Sequence, residues 1–167
     1  GVANSLSSMF YKGGFIVGSQ TSPMLLRVEM DGSITNMQLG VPGITNFHHD
    51  ISPGKLGLLV QVDANRNGTA IIESILLEIN PDDGSLIRQW DLADSVMQRM
   101  QAFGEDASQF VRPGVDWFHM NSARYSASDD SLLVSGREDF VAKLDYESGQ
   151  LRWLFGDPGK YWYSFPS

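Results

Sequence analysis

The sequence has no cysteine and only three histidines in 167 residues. The missing cysteine excludes disulfides, thiol nucleophiles and thiolate metal sites. Basic residues are also scarce: 12 Lys and Arg stand against 20 Asp and Glu, giving a net charge of −8. A duplex-binding surface needs clustered cations to displace counterions, so nucleic acid is not an expected partner. No apolar run approaches the roughly 18 residues of a membrane-spanning helix, so no membrane span is expected. The opening residues GVANSLSSMF lack the basic start and apolar centre of a signal peptide. Turn formers and large packing residues are plentiful, with 17 Gly, 9 Phe, 4 Trp and 5 Tyr. That combination favours β structure.

A two-strand phrase occurs three times. Residues 24–39 read MLLRVEMDGSITNMQL, residues 75–92 ILLEINPDDGSLIRQWDL, and residues 140–155 FVAKLDYESGQLRWLF. Each has an alternating apolar run, an acidic turn with glycine, and a second run. Alternation of period two gives strands with one buried face, and Gly32, Gly84 and Gly149 permit the positive φ of tight hairpins. A short apolar strand precedes each phrase: FIVGSQ at 15–20, LLVQVD at 58–63 and LLVSGR at 132–137. Repeats of this kind, with glycine intervals of 52 and 65 residues, predict blades of a β-propeller. The expected units are 14–43, 44–93 and 115–156, within one partial propeller domain over 1–167. The longer interval holds DSVMQRMQAFGEDASQF, whose Val96, Met97, Met100 and Phe103 predict a helical insertion over 94–110, capped by Asp94 or Ser95. Three blades leave sheet faces unburied, and YWYSFPS at the end offers no visible closing strand. The chain is therefore expected to be part of a larger propeller, or to complete one by associating with copies of itself. A β-sandwich with irregular hairpins is the plainer alternative.

All three histidines fall in two similar phrases, NFHHDIS at 46–52 and DWFHMNS at 116–122. Both precede a blade and are expected to supply its innermost strand, where residues distant in sequence converge on a central channel. Alignment through the downstream Ser52 and Ser122 pairs His49 with His119; alignment through the upstream Phe pairs His48 instead. His49 is favoured because Asp50 stands beside it. If His48 and His49 lie in a strand they point to opposite faces, so only one can join His119 and no metal site is expected. Arg137 ends the strand SLLVSGR, and Gln20 and Asp63 hold the aligned places in the other units, which marks a rim position. Asn121 is expected on the same side of the strand as His119. Two imidazoles, a guanidinium and an amide around one channel suit a compact tetrahedral anion. Taken singly, each has a plainer role: a structural histidine, or a solvated Arg137 beside Glu138 and Asp139. Trp90 and Trp153 read as blade packing, and DANRNG at 63–68 is too poor in carboxylates for a calcium loop.

FHHD, DWFHMNS, SLLVSGRE and GQLRWLFG together closely resemble the bacterial arylsulfate sulfotransferases. The resemblance covers roughly residues 14–160 and is most specific from Asp116 to Gly156. It implies a six-bladed propeller that transfers a sulfuryl group from an aryl sulfate to a phenolic acceptor, without a nucleotide donor or any cofactor. It implies a sulfohistidine intermediate and a periplasmic or secreted setting. By the same resemblance His49, His119 and Arg137 are catalytic, and Asn121 binds the sulfuryl oxygens. The family's nucleophilic histidine follows the tryptophan phrase. With three histidines in all, that nitrogen is expected beyond the C-terminus of this stretch. The family's stretch between the two histidine phrases is usually longer, and the disulfide of some members is absent. A non-catalytic propeller module that binds an anion or a protein partner is the alternative. Quinone-cofactor dehydrogenases share only the packing phrases.

Overall fold

A computed structural model describes residues 5–112, 114–137 and 140–156. Within them the chain is three four-stranded antiparallel sheets, each a meander in chain order. The first holds β1 (Ser5–Tyr11), β2 (Gly14–Ser19), β3 (Met24–Glu29) and β4 (Ile34–Gln38). The second holds β5 (Ile44–Pro53), β6 (Leu58–Arg66), β7 (Thr69–Ile79) and β8 (Leu86–Asp91). The third holds β9 (Met120–Ser126), β10 (Ser131–Gly136), β11 (Phe140–Asp145) and β12 (Leu151–Gly156). The first sheet thus begins at residue 5 rather than 14, because Met9 to Tyr11 pair with Ile16 to Gly14 across a tight turn. The closing phrase YWYSFPS lies outside the described residues.

The repeated acidic turns have a local cause. Asp31 accepts from Ser33 N (2.9 Å), Asp83 from Ser85 N (2.9 Å), and Asp145 from Ser148 N (2.9 Å). In each hairpin the carboxylate thus satisfies a backbone donor just ahead, the Asx-turn device. The glycines beside them take φ of 86°, 76° and 69°, a region open to glycine without steric cost.

The second sheet is central. Leu59 and Leu76 face one side, and Leu58, Val60, Val62, Ile75, Leu77 and Ile79 face the other. Both faces are therefore buried, which explains why β6 and β7 read as nearly continuous apolar runs. One face packs on Ile16, Leu25 and Met37 of the first sheet. The other packs on Val134, Phe140, Ala142 and Leu154 of the third sheet, together with the connecting helix. The first strands β1, β5 and β9 lie side by side, and this brings residues 48–49 and 119 within reach of one another.

The insertion differs from expectation. Helix α1 spans Leu92–Ala102, and a separate 3-10 turn covers Ala107–Gln109. The cap is Asp91, whose carboxylate accepts from Ala93 N at 2.9 Å, so the helix starts as soon as β8 ends. Leu92, Val96 and Met100 are buried, but Phe103 lies past the last turn and is exposed.

Trp90 packs as predicted: its indole N–H donates to Tyr146 O at 3.0 Å and its ring sits 5.3 Å from that of Tyr146. Tyr146 is wholly buried, and its hydroxyl donates to the Glu78 carboxylate. Burial and the neighbouring carboxylate both push the phenol pKa up, which keeps it a donor. Glu78, also fully buried, accepts from Leu56 N (2.6 Å) and Gly57 N (3.0 Å). One carboxylate thus ties the β5–β6 turn to the third sheet. Tyr146→Phe removes a donor from a buried charge and is expected to lower stability by about 1–3 kcal/mol in urea denaturation. An unchanged midpoint would show that Glu78 does not depend on this contact.

Candidate active site

Three β-bulges build the site. On β5 the register with β6 slips between His48 and Ile51, leaving His49 and Asp50 unpaired. On β7 it slips opposite Asp63, at Ile72 to Ser74. On β9 it slips at Asn121, since Ser122 pairs with Ser135 but Met120 pairs with Gly136. The side chains that gather here stand at or beside these bulges, and three occupy the left-handed region: His49 at φ 22°, Glu73 at 46° and His119 at 47°. Such conformations cost about 1–3 kcal/mol each and concentrate where function requires a particular side-chain direction. Close approach fixes the third bulge. A Cβ on Gly136 would stand 2.6 Å from Phe118 O, so any side chain there would displace the segment that carries His119. Gln61, buried in β6, bridges to β9 with its amide oriented to donate to Met120 O (2.7 Å) and accept from Ser122 N (3.2 Å).

The bulges overturn the expectation that neighbouring histidines face apart. His48 and His49 both reach Glu73: His48 Nδ1 is 2.8 Å from Oε1, and His49 Nε2 is 3.6 Å from Oε2. His49 Nε2 lies 3.1 Å from His119 Nε2. On the far side of its ring, His119 Nδ1 is 2.6 Å from Asp116 Oδ2 and 2.7 Å from Glu73 Oε2. The aligned N–H goes to Asp116; Glu73 Oε2 is close but receives no hydrogen bond of good geometry. The ring nitrogens therefore have distinct roles. Nδ1–H of His119 is held by a carboxylate, so Nε2 is presented to His49, with one proton between the two Nε2 atoms.

His48 is a different kind of residue. Its Nε2 is 2.8 Å from Asp63 Oδ2 and its Nδ1 meets Glu73, so it lies between two carboxylates. Burial alone would lower its pKa, but the hydrogen bonds to Asp63 and Glu73 outweigh burial and push it up to about 9. Asp63 is half-buried, which alone would raise its pKa, yet His48, Glu73 N and Asn46 all donate to it and hold that pKa below the ordinary value. His48 is thus a cation at neutral pH, locked in an ion pair. His49, with 30% of its side chain exposed, is the more open ring.

The other expected residues sit at the margin. Arg137 donates its backbone N–H to His119 O at 2.9 Å, and its guanidinium reaches Asp116 Oδ2 at 3.4 Å. Its side chain is 56% exposed, at the rim. Asn121 is the bulged residue and is exposed; among the described residues no hydrogen bond joins its amide to the His119 ring. Asp50, the reason for preferring His49, pairs with Arg124 instead. Asp63, read from sequence as a rim position, holds His48. Glu73 and Asp116 were missed. Asp116 stands three residues before His119 in the phrase DWFHMNS, and that spacing is its signal. Glu73 and Ser74 interrupt an apolar strand with two adjacent polar residues, the mark of a bulge. Two clefts along α1, one of about 230 Å³ beside Gln150 and Leu151, are remote from the cluster.

The model of the family Arylsulfotransferase (ASST) matches residues 7–166. Arylsulfate sulfotransferase AssT of Escherichia coli O6:H1 is 40% identical over 52 residues, which is 31% of this chain and 8% of that relative's length. Among solved structures, glutaminyl cyclase of Myxococcus xanthus superposes with a TM-score of 0.44 at 16% identity, over 80% of this chain and 51% of its own. The computationally designed Ika8 protein gives 0.32 at 10% identity, over 90% and 61%.

The raised pKa of His48 fixes a pH dependence. Its folded value lies above the ordinary 6.5. The stabilisation is therefore complete below that pH and is lost as pH rises through about 9. Imidazole NMR is expected to find His48 protonated at pH 7.5, and Asp63→Asn to move its titration down toward the ordinary range. A neutral His48 at pH 7.5 in the unaltered protein would contradict the two-carboxylate clamp.

Proposed function

The chain belongs to the arylsulfotransferase (ASST) family, and from that premise we propose that it carries part of a six-bladed β-propeller that transfers a sulfuryl group from an aryl sulfate to a phenol. The sheets β1–β4, β5–β8 and β9–β12 are three of its blades, and the strands β1, β5 and β9 line its channel. No nucleotide donor or other cofactor takes part. A periplasmic or secreted setting follows from the family resemblance.

The observation that carries the reading is the contact between His49 and His119, backed by Asp116 and Glu73. In the first half-reaction a histidine nitrogen outside residues 1–167 attacks sulfur. The S–O bond to the aryl group breaks, and the histidine pair, holding one extra proton, gives it to the departing phenolate oxygen. In the second, a phenol O–H returns a proton to the pair while its oxygen attacks sulfur and the S–N bond of the sulfohistidine breaks. The proton count of the pair is restored. Asp116 does for His119 what an orienting carboxylate does in any acid–base pair: it fixes the ring and stabilises its charged form. Transfer passes through a loose transition state with negative charge on three equatorial oxygens, by the logic of phosphoryl transfer. The Arg137 guanidinium, at the rim, and the Asn121 amide, exposed on the bulge, turn toward those oxygens when substrate is bound.

In the longer parent protein, His49→Ala, His119→Ala and Arg137→Ala are each expected to lower turnover of a chromogenic aryl sulfate by about a hundredfold or more with folding retained. Full turnover in all three would refute the assigned roles.

A further inference from the structure

We propose that Glu73, Asp116 and His119 form a binding site for one divalent transition-metal ion of the Zn2+ class. The argument starts from atoms whose demands are not met. Glu73 is buried, with only 6% of its surface exposed, and its two oxygens differ. Oε1 is held by His48 Nδ1 at 2.8 Å, whereas Oε2 receives no hydrogen bond. Asp116 Oδ1 is likewise buried without a partner. A buried carboxylate oxygen with no donor is costly, and Glu73 Oε2 stands 2.7 Å from the Nδ1 of His119, whose N–H already goes to Asp116 Oδ2. One ligand atom from each of Glu73, Asp116 and His119 falls within 4.8 Å of the others.

A cation satisfies this arrangement as a whole. Two carboxylates and a neutral imidazole balance a dication. Imidazole with carboxylate suits Zn2+ and its neighbours, whereas Ca2+ and Mg2+ prefer all-oxygen shells. The outer partners are also in place: His48 orients Glu73 through its other oxygen, and His49 holds the second nitrogen of His119. Zn–ligand bonds of about 2.0–2.2 Å require the carboxylates to open away from Nδ1 by a fraction of an ångström. The broad terminal torsions of Glu and Asp permit that. An ion here takes the nitrogen by which Asp116 holds His119, so metal occupancy and proton transfer by the histidine pair exclude each other. That consequence alone rests on the sulfuryl-transfer reading; binding does not.

The test is calorimetric titration of the protein with ZnCl2 in a non-chelating buffer, with MgCl2 and CaCl2 as comparators. One Zn2+ per chain is expected, with no comparable uptake of Mg2+ or Ca2+. Glu73→Gln and Asp116→Asn are each expected to weaken Zn2+ by about tenfold or more. Glu73 also supports the fold, so circular dichroism checks both variants, and Asp116→Asn, at a part-exposed position, serves if Glu73→Gln unfolds. Zn2+ heats no greater than those of Mg2+, or equal Zn2+ affinity in every folded variant, would overturn the proposal. Zn2+ binding in a protein whose parent transfers no sulfuryl group would refute the preceding reading and leave this one standing. Transfer with no Zn2+ binding would do the reverse.

Discussion

One buried carboxylate organises the site. Glu73 meets His48 through one oxygen and lies close to His49 and His119 through the other. Taking a carboxylate out of water costs several kcal/mol unless opposite charge and hydrogen bonds compensate. Here a protonated His48 supplies the charge, and Asp63 in turn holds His48. The chain of dependence runs Asp63, His48, Glu73, then the His49–His119 pair. Removing a member leaves its neighbour buried without a counterpart, so these groups act as a unit rather than as separate contacts.

The fold makes that unit possible by breaking its own rules locally. A regular strand would send His48 and His49 to opposite faces and keep Glu73 within the alternation of β7. Bulges on β5, β7 and β9 remove the constraint, and each places a site residue in the left-handed region or next to one. That strain is sustained by a central sheet buried on both faces and by the Glu78–Tyr146 link between the second and third sheets. Rigid packing a few residues away thus holds open, polar geometry at the ends of the first strands.

The regular parts were legible in the sequence because they repeat. Acidic turn, glycine and alternating runs at 24–39, 75–92 and 140–155 correspond to the hairpins β3–β4, β7–β8 and β11–β12. The histidine phrases correspond to β5 and the start of β9, the first strands of their sheets. The bulges on β5 and β9 were not legible, since each depends on how a partner strand slips, and the one on β7 left only the adjacent polar pair Glu73 and Ser74 as its trace. Hence Glu73 was passed over inside an apolar run, and His48 was set aside although it supplies the cation. The helix start was misplaced for a local reason: Asp91 doubles as the last residue of β8 and the cap of α1. Asp50 looked like a partner for His49 only because it is adjacent in sequence.

The central claim is that His49 and His119 handle one proton jointly. A double-mutant cycle on the sulfuryl transfer proposed for the parent protein, using His49→Ala, His119→Ala and the combined variant, tests it most directly. Groups that act as a unit are not additive. The account predicts that the combined variant loses scarcely more activity than the worse of the two single variants. Losses that multiply would show that the rings work independently, and would contradict it.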